Sequence, residues 1–230
     1  MRTRVTNSTI VTMMARNYEM LEMYNQYRQP QPRHPQYRQP QSQLLNRPWQ
    51  PARKTLQPFP SRSSIKSVAF TGHRPEKLPW GTDDNSAEGV LFKFRLRETL
   101  EYLIGRGYTD FLSGAARGFD TIAAEMVISL REIYPWIRLT VVLPCADQAR
   151  KWNDVDRARW ENIVTNSDHV ETLARTYDRS CMFRRNRYLV DHADLVLACY
   201  DGDPHSGTGM TVNYAHNKDV IVRRLRLEKK

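Results

Sequence analysis

The strongest constraint on the fold is an alternation of short apolar segments with segments of helical periodicity, which runs from Ile65 to Leu225. The apolar segments predict β-strands, and they lie at 66–72, 110–113, 138–145, 169–174, 194–200 and 220–225. The segments between them predict helices, and they lie at 89–107, 119–134, 147–167, 181–192 and 208–217. Strands that alternate with helices in this way form a mainly parallel sheet covered on both faces. We therefore predict an α/β fold, a three-layer sandwich.

The first part of the chain has a different composition. Residues 1–67 hold 11 Lys or Arg against 2 Asp or Glu, whereas residues 68–230 hold 24 against 23. Eight of the 13 prolines fall between Pro30 and Pro60. Because such segments bury too little apolar surface to fold, we predict a disordered, basic Pro/Gln-rich tail. The predicted division is a tail over 1–64, one α/β domain over 65–226 and a charged end over 227–230.

Within the tail, apolar side chains recur at spacings of three and four residues, which predicts a short helix in the range 8–27. Such a helix would bind a partner or a membrane surface, or would remain nascent without a partner. The basic residues interleaved with Tyr and Trp suit non-specific nucleic-acid binding through phosphate charge and stacking, and they equally suit a solvated basic tail without a dedicated ligand.

Cysteines, histidines and hydropathy exclude several classes of protein. Cys145, Cys181 and Cys199 form no CxxC pair, so the sequence predicts neither a disulfide framework nor a zinc ribbon. The histidines lack the spacing of a metal site. No run of about 18 apolar residues predicts a transmembrane segment, and the N-terminus lacks the apolar core of a secretory signal. We expect a cytoplasmic protein that requires no cofactor.

Four unusual motifs each follow a predicted strand. They are TGHRP (71–75), SGAARGFD (113–120), LPCAD (143–147) and YDGDPHSGTG (200–209). In parallel sheets, ligands bind beyond the carboxyl ends of the strands, where glycine-rich turns let the backbone approach them. We therefore expect these motifs to meet at one edge of the sheet.

The SGAARGFD motif has the composition of an anion-binding turn or of a plain tight turn. Gly114 and Gly118 can adopt backbone angles closed to other residues, which leaves N–H groups free to face an anion where the next helix starts. Arg117 supplies a forked donor suited to phosphate. Asp120 is expected either to cap the helix or to orient Arg117.

A second glycine loop, HSGTG at 205–209, precedes another predicted helix. The hydroxyl groups of Thr208 and Thr211 would add to the free N–H groups of its first turn. Neither loop has the spacing of a Walker motif, and no GxGxxG follows the first strand. Hydrolysis of nucleoside triphosphates and the usual dinucleotide fingerprint are therefore disfavoured.

The ordered motifs TGHRP, SGAARGFD, FRRNRYLVDHADLVLACYDG (183–202) and SGTGMTVNYA (206–215) resemble the SLOG superfamily, the group named for the Smf/DprA and LOG proteins, and most closely its YpsA-like branch. The resemblance covers residues 66–226. It implies a Rossmann-like domain that binds a nucleotide or a nucleotide-derived phosphorylated molecule related to ADP-ribose, in a sensing or regulatory role. The ligand contacts that it implies are Gly72, His73, Arg74, Ser113, Gly114, Arg117, Gly118, Asp120, Arg185, Asn186, Asp201, Gly207, Thr208, Gly209 and Thr211. Ser206 departs from the branch, which has glycine at that position.

Two other functions remain open. LOG-type members hydrolyse the N-glycosidic bond of nucleoside monophosphates, but Asn213 and Tyr214 occupy the positions of that motif's glutamates. Asp120 and Asp201 are the remaining candidates for acid/base catalysis. The other alternative is a single-stranded DNA-binding protein, as in DprA-like relatives. The tail or the arginines at 184, 185 and 187 would then attract the phosphates of the DNA. On a helix these three cannot all face inward, and we expect one ligand contact and two solvated side chains.

Four further expectations concern individual residues and assembly. His73 is expected to hydrogen-bond backbone or ligand rather than to act as a base. Trp80 is expected to pack in the protein, with stacking on a bound base as the alternative. Cys145 is expected to be structural. The resemblance implies homo-oligomerisation, because members of the family commonly pair, although no periodicity in the sequence indicates it.

Overall fold

A computed structural model of the chain describes residues 66–227, and the predicted tail, its helix at 8–27 and most of the charged end lie outside this range. The strands in chain order are β1 Lys66–Gly72, β2 Tyr108–Ser113, β3 Arg138–Leu143, β4 His169–Thr172, β5 Leu195–Cys199 and β6 Ile221–Leu225. The helices are α1 Ala87–Gly105, α2 Phe119–Leu130, α3 Asp154–Thr165, α4 Cys181–Asp191 and α5 Gly207–Asn217. A 3₁₀ turn, Pro75–Lys77, follows β1.

The strands form one parallel sheet with the order β4-β3-β2-β1-β5-β6. Val68 of β1 lies opposite Phe111 of β2 on one side and Leu195 of β5 on the other. Successive strands extend from β1 to β4 in one direction, and β5 then starts on the other side of β1. The boundary between β1 and β5 is therefore the topological switch point, where open α/β sheets bind their ligands.

Helices cover both faces of the sheet, so the predicted α/β three-layer, Rossmann-like sandwich is confirmed. Leu96 of α1 and Ile122 of α2 share a buried cluster with Phe70 of β1. Leu189 of α4 and Val212 of α5 belong to a second cluster on the opposite face. Because neighbouring side chains on a strand point to opposite faces, β1 contributes alternate residues to both clusters.

Helix α3 is the main difference from the sequence prediction, which placed a helix over 147–167. Residues before it form turns, such as the one closed by the Arg150 amide on the Asp147 carbonyl at 3.1 Å. Asn153 then caps the helix, because its side chain accepts a hydrogen bond from the Asp156 amide at 2.9 Å. Among residues 66–227, none of the helices combines the length and apolar character that a membrane crossing needs.

Candidate functional site

The turn after β1 connects the two neighbouring turns at the switch point. The His73 amide donates to the Cys199 carbonyl at 2.9 Å, and the His73 carbonyl accepts from the Phe119 amide at 3.1 Å. Nε2 of the buried His73 ring accepts from the Asp201 amide at 3.1 Å. One carboxylate oxygen of Asp201 lies 3.0 Å from the same nitrogen. The expectation that His73 hydrogen-bonds backbone is confirmed.

The two glycines of SGAARGFD serve different geometric needs. Gly118 has a φ of 90°, and a Cβ there would lie 2.4 Å from the His73 carbonyl oxygen. Gly114 is not left-handed, contrary to our expectation, and the left-handed residue beside it is Ala115, with a φ of 44°. A Cβ on Gly114 would lie 1.0 Å from Nη1 of Arg185. Gly114 therefore makes room for an arginine that crosses the turn.

Asp120 and Arg185 form a buried ion pair. Nη1 of Arg185 donates to Oδ2 of Asp120 at 3.0 Å, and the two side chains are only 5% and 7% exposed. Burial raises the pKa of Asp120, while the positive charges of Arg185 and Arg74 oppose that rise. The expected roles of Asp120 were wrong, because Gly118 is the N-cap of α2 without a side-chain cap and the partner of Asp120 is Arg185.

The end of the sheet formed by the turns after β1, β2 and β5 is called the rim. Its arginines differ in whether a carboxylate binds them. Arg117 is held by two carboxylates, with Nε at 2.6 Å from Asp156 and Nη1 at 3.3 Å from Glu76. Arg74 is exposed, and within residues 66–227 its guanidinium has no hydrogen bond or ion pair. The Cα of Arg74 would lie 3.0 Å from a Cβ on Gly118, so Arg74 stands beside the start of α2. Within residues 66–227, the arginine beside this turn that makes no ion pair is thus Arg74 rather than Arg117.

The second glycine loop forms the capped start of α5. The Ser206 side chain accepts a hydrogen bond from the Gly209 amide at 3.0 Å. Within the described range, the amides of Gly207 and Thr208 have no hydrogen-bond acceptor. The Thr211 hydroxyl is already engaged, since it donates to the Gly207 carbonyl and accepts from Nδ2 of Asn186, both at 2.9 Å. Backbone amides rather than that hydroxyl are therefore available to an anion.

Helix α4 joins the two glycine loops through residues in its middle. Arg185 lies against Gly114, and the next residue, Asn186, binds Thr211, which in turn binds Gly207. Gly72 is equally close-packed, because a Cβ there would lie 2.5 Å from the Phe119 side chain. The predicted site residues from β1, β2, α4 and the β5–α5 loop are thus brought to one end of the sheet.

Sequence reasoning missed Gln148, which follows the LPCAD motif. Its Nε2 donates to the carbonyls of Gly114 and Ala115, at 3.1 and 3.0 Å. Gln148 is 8% exposed. The sequence feature that could have indicated Gln148 is a polar residue in the turn after a buried strand. The Gly114 carbonyl that it binds lies 34 residues earlier in the chain, so local spacing does not predict the contact.

Other candidate residues have packing roles. Trp80 packs on Phe92 with ring centroids 4.6 Å apart, which confirms the packing prediction. Cys145 is buried, and this raises the pKa of its thiol to about 12, so it lacks the thiolate of a nucleophile. In the segment that the structure describes, no group of three or more His, Cys, Asp or Glu could hold a metal ion.

Comparison with known proteins identifies the family. The family model described as YspA SLOG family matches residues 68–228, a range that contains every motif of this rim. The chain belongs to the YpsA-like branch of the SLOG superfamily. The part before the SLOG domain, including most of the basic segment, lies outside the match.

Curated relatives of the SLOG domain include UPF0398 proteins from three bacteria. The Bacillus pumilus protein is 32% identical over 146 residues, which cover 63% of this chain and 77% of the relative. The Bacillus thuringiensis protein is 29% identical over 160 residues, covering 68% and 86%. The Staphylococcus epidermidis protein is 28% identical over 141 residues, covering 60% and 74%. Their names state no activity, so the function must be argued from the geometry of the rim.

Proposed function

We propose that this SLOG domain binds a nucleotide or a nucleotide-derived phosphorylated small molecule, similar to ADP-ribose, in a sensing or regulatory role. The observation that carries the proposal is the connection of the two glycine loops, Gly114 and Gly207, through Arg185 and Asn186. Each loop precedes a helix, so unengaged amides and the positive end of a helix dipole converge from two sides. Such a pair of turns suits an anion larger than a single phosphate.

The charged side chains of the rim support a phosphorylated ribose. Arg74 is the free cation beside the start of α2 and would pair with phosphate. Asp201 is 48% exposed, and a hydrogen bond from the Asp203 amide lowers the pKa of its carboxyl. An ionised carboxylate can accept hydrogen bonds from ribose hydroxyls. The rim thus offers donors for phosphate and an acceptor for sugar.

Binding is favoured over hydrolysis of a glycosidic bond. Asp120, one of the two candidate acids, is held by Arg185 in a buried pair. Asn213 and Tyr214 stand where LOG-type hydrolases have glutamates, and the Tyr214 hydroxyl donates to Asp191. Hydrolysis predicts release of free base from a nucleoside monophosphate, abolished by Asp120→Asn.

Two of the three arginines of α4 are solvated, as expected, and the third is buried. Arg185 is 4% exposed, whereas Arg184 and Arg187 are exposed. Arg184 pairs with Asp178, and Arg187 lies over the rings of Phe183 and Tyr214 at 4.4 and 4.9 Å. They form no inward-facing phosphate cluster, so DNA binding by the described domain is the weaker alternative.

Thermal-shift measurements on the full chain with nucleotides, cyclic nucleotides and ADP-ribose test the proposal. A ligand at about 100 times its dissociation constant should stabilise the domain by about 2.7 kcal/mol. Arg74→Ala should weaken binding by about tenfold or more, because a charge-assisted bond to phosphate is lost. Arg106→Ala, which removes an exposed arginine at the C-cap of α1, is the matched control. No shift with any of these compounds, or equal shifts in both variants, would contradict the proposal.

A further inference from the structure

Arg224 of the edge strand β6 lies at the same end of the sheet as the glycine loops. It is opposite Ala198 of β5, one residue before β6 ends. Because registered side chains on neighbouring parallel strands share a face, Arg224 lies on the face where Ala198 and Val212 of α5 form the second buried cluster. Helix α5 begins on this face after the loop that leaves β5. Arg224 and the start of α5 therefore lie in one corner of the rim.

The Arg224 guanidinium is held in place although the side chain is exposed. Its Nε donates to the Tyr200 carbonyl at 3.2 Å, and its Cζ lies over the Tyr200 ring, 4.8 Å from the centroid. Tyr200 is itself buried, and its ring meets the His73 ring edge-on with centroids 6.2 Å apart. An arginine anchored in this way has already lost much of the rotamer freedom that binding would otherwise remove.

The two Nη groups of Arg224 face the loop between β5 and α5. A Cβ on Gly202 would lie 3.0 Å from Nη1 and 3.1 Å from Nη2, so the guanidinium lies against the loop at a position without a side chain. Asp203 in this loop approaches Lys77 at 3.7 Å, and Asp201 accepts from the Asp203 amide at 3.0 Å. Within residues 66–227, no carboxylate or other acceptor binds the Nη groups of Arg224.

We infer that Arg224 binds a phosphate group of the ligand at the second glycine loop, with its two Nη groups as a forked donor. The inference rests on the proposed function of the same rim. The planar fork of a guanidinium matches two oxygens of a phosphate, and such bidentate, charge-assisted pairs are stronger than bonds between neutral groups. The amides of Gly207 and Thr208 begin α5 in the same corner and would bind the remaining oxygens. Arg74 and Arg224 then serve the first and the second glycine loop separately, which suits a ligand with two phosphate groups.

The test is a titration of the ¹⁵N-labelled full chain with inorganic phosphate, followed through the amide signals of Gly207 and Thr208 and the Nε–H signal of Arg224. Arg224→Gln removes the charge and the fork, whereas Arg224→Lys keeps the charge without the fork. Arg223→Gln is the matched control. It removes the same charge from the preceding residue of β6, whose side chain points to the opposite face and lies over the Tyr102 ring at 4.8 Å.

In the wild type and the control, phosphate should shift all three signals with the same affinity. Either Arg224 variant should raise the dissociation constant at Gly207 and Thr208 by about tenfold, because a bidentate pair is lost. The amide spectrum of the unliganded variants away from this corner should match the wild type, which separates a lost contact from a lost fold. The Nε–H shift of Arg224 reports the contact itself, which a purely structural role would not produce.

Wild-type affinity in either folded Arg224 variant, or an Arg224 Nε–H signal that phosphate does not move, would overturn the role of Arg224 and leave the proposed function in place. No response of Gly207 and Thr208 in the wild type would overturn phosphate binding at the second glycine loop and the role of Arg224 with it. The thermal shifts with nucleotides and ADP-ribose then decide separately whether the rim binds a ligand.

Discussion

At the scale of single residues, the two glycines of the first loop show that the same residue type can be needed for unrelated reasons. Gly118 adopts a φ of 90°, which side chains rarely allow. Gly114 has no such backbone requirement and instead leaves space for Nη1 of Arg185. The need for space at Gly114 links the loop directly to the buried pair of Arg185 with Asp120. A substitution at Gly114 can therefore test it.

Gly114→Ala should destabilise the domain by about 1–3 kcal/mol, because the new methyl group must displace a buried arginine. The change should also separate Arg185 from Asp120. Gly105→Ala is the matched control, since a Cβ at that helical position meets nothing within 4 Å, and it should stabilise by about 0.5–1 kcal/mol. Urea unfolding of both variants measures the difference. Equal stabilities would show that Arg185 can move aside without cost.

Sequence patterns predicted which residues gather at the rim but not how they pair. The glycines and His73 were placed at this edge because strand ends of a parallel sheet share it, whereas Arg185 of α4 was implied by the family resemblance. The pairing of Asp120 with Arg185 joins residues 65 positions apart, and a pattern of local spacing contains no information about it. The same limit explains why the carboxylate partners of Arg117 and the contacts of Gln148 were missed.

At the scale of secondary-structure elements, helix starts depend on capping side chains that hydropathy does not report. The strands and four of the helices lie within a few residues of the predicted positions, since their apolar periodicity is strong. Helix α3 starts at Asp154 rather than 147, because Asn153 caps it after a series of turns. Ser206 has the same function at α5, which gives a reason for serine where the branch has glycine.

Ser206→Ala should cost about 1 kcal/mol of stability, since the Gly209 amide loses its acceptor, whereas Ser206→Gly should cost only a few tenths. Ser180→Ala is the control: Ser180 is also an N-cap residue, at α4, but its side chain bonds the exposed Asp178 and Arg184 and caps no helix amide. Chemical denaturation of the three variants distinguishes them. If Ser206→Ala and Ser180→Ala prove equally mild, the cap of α5 contributes little.

At the scale of the whole molecule, topology and charge assign two interactions to different parts of the chain: small-molecule binding to the switch point and attraction of nucleic acid to the basic segment, residues 1–67. The switch point between β1 and β5 places the proposed small-molecule site in the described domain. Most of the net positive charge lies before it, since residues 1–67 carry 11 of the Lys and Arg but only 2 acidic residues. Attraction to nucleic acid depends on such charge, so the basic segment and the rim should respond to different ligands.

Replacing the ten Lys and Arg of residues 1–65 by Gln should abolish salt-sensitive capture of a single-stranded oligonucleotide by the full chain. The reason is that each phosphate contact contributes a slope of about −0.7 to the logarithmic dependence of affinity on salt, and the remaining chain is nearly neutral. Fluorescence anisotropy at several salt concentrations measures that slope, and the thermal shift with small-molecule ligands should stay unchanged. If capture instead survives with the same slope, the strand is held by the SLOG domain itself, and a DprA-like function would replace the one proposed.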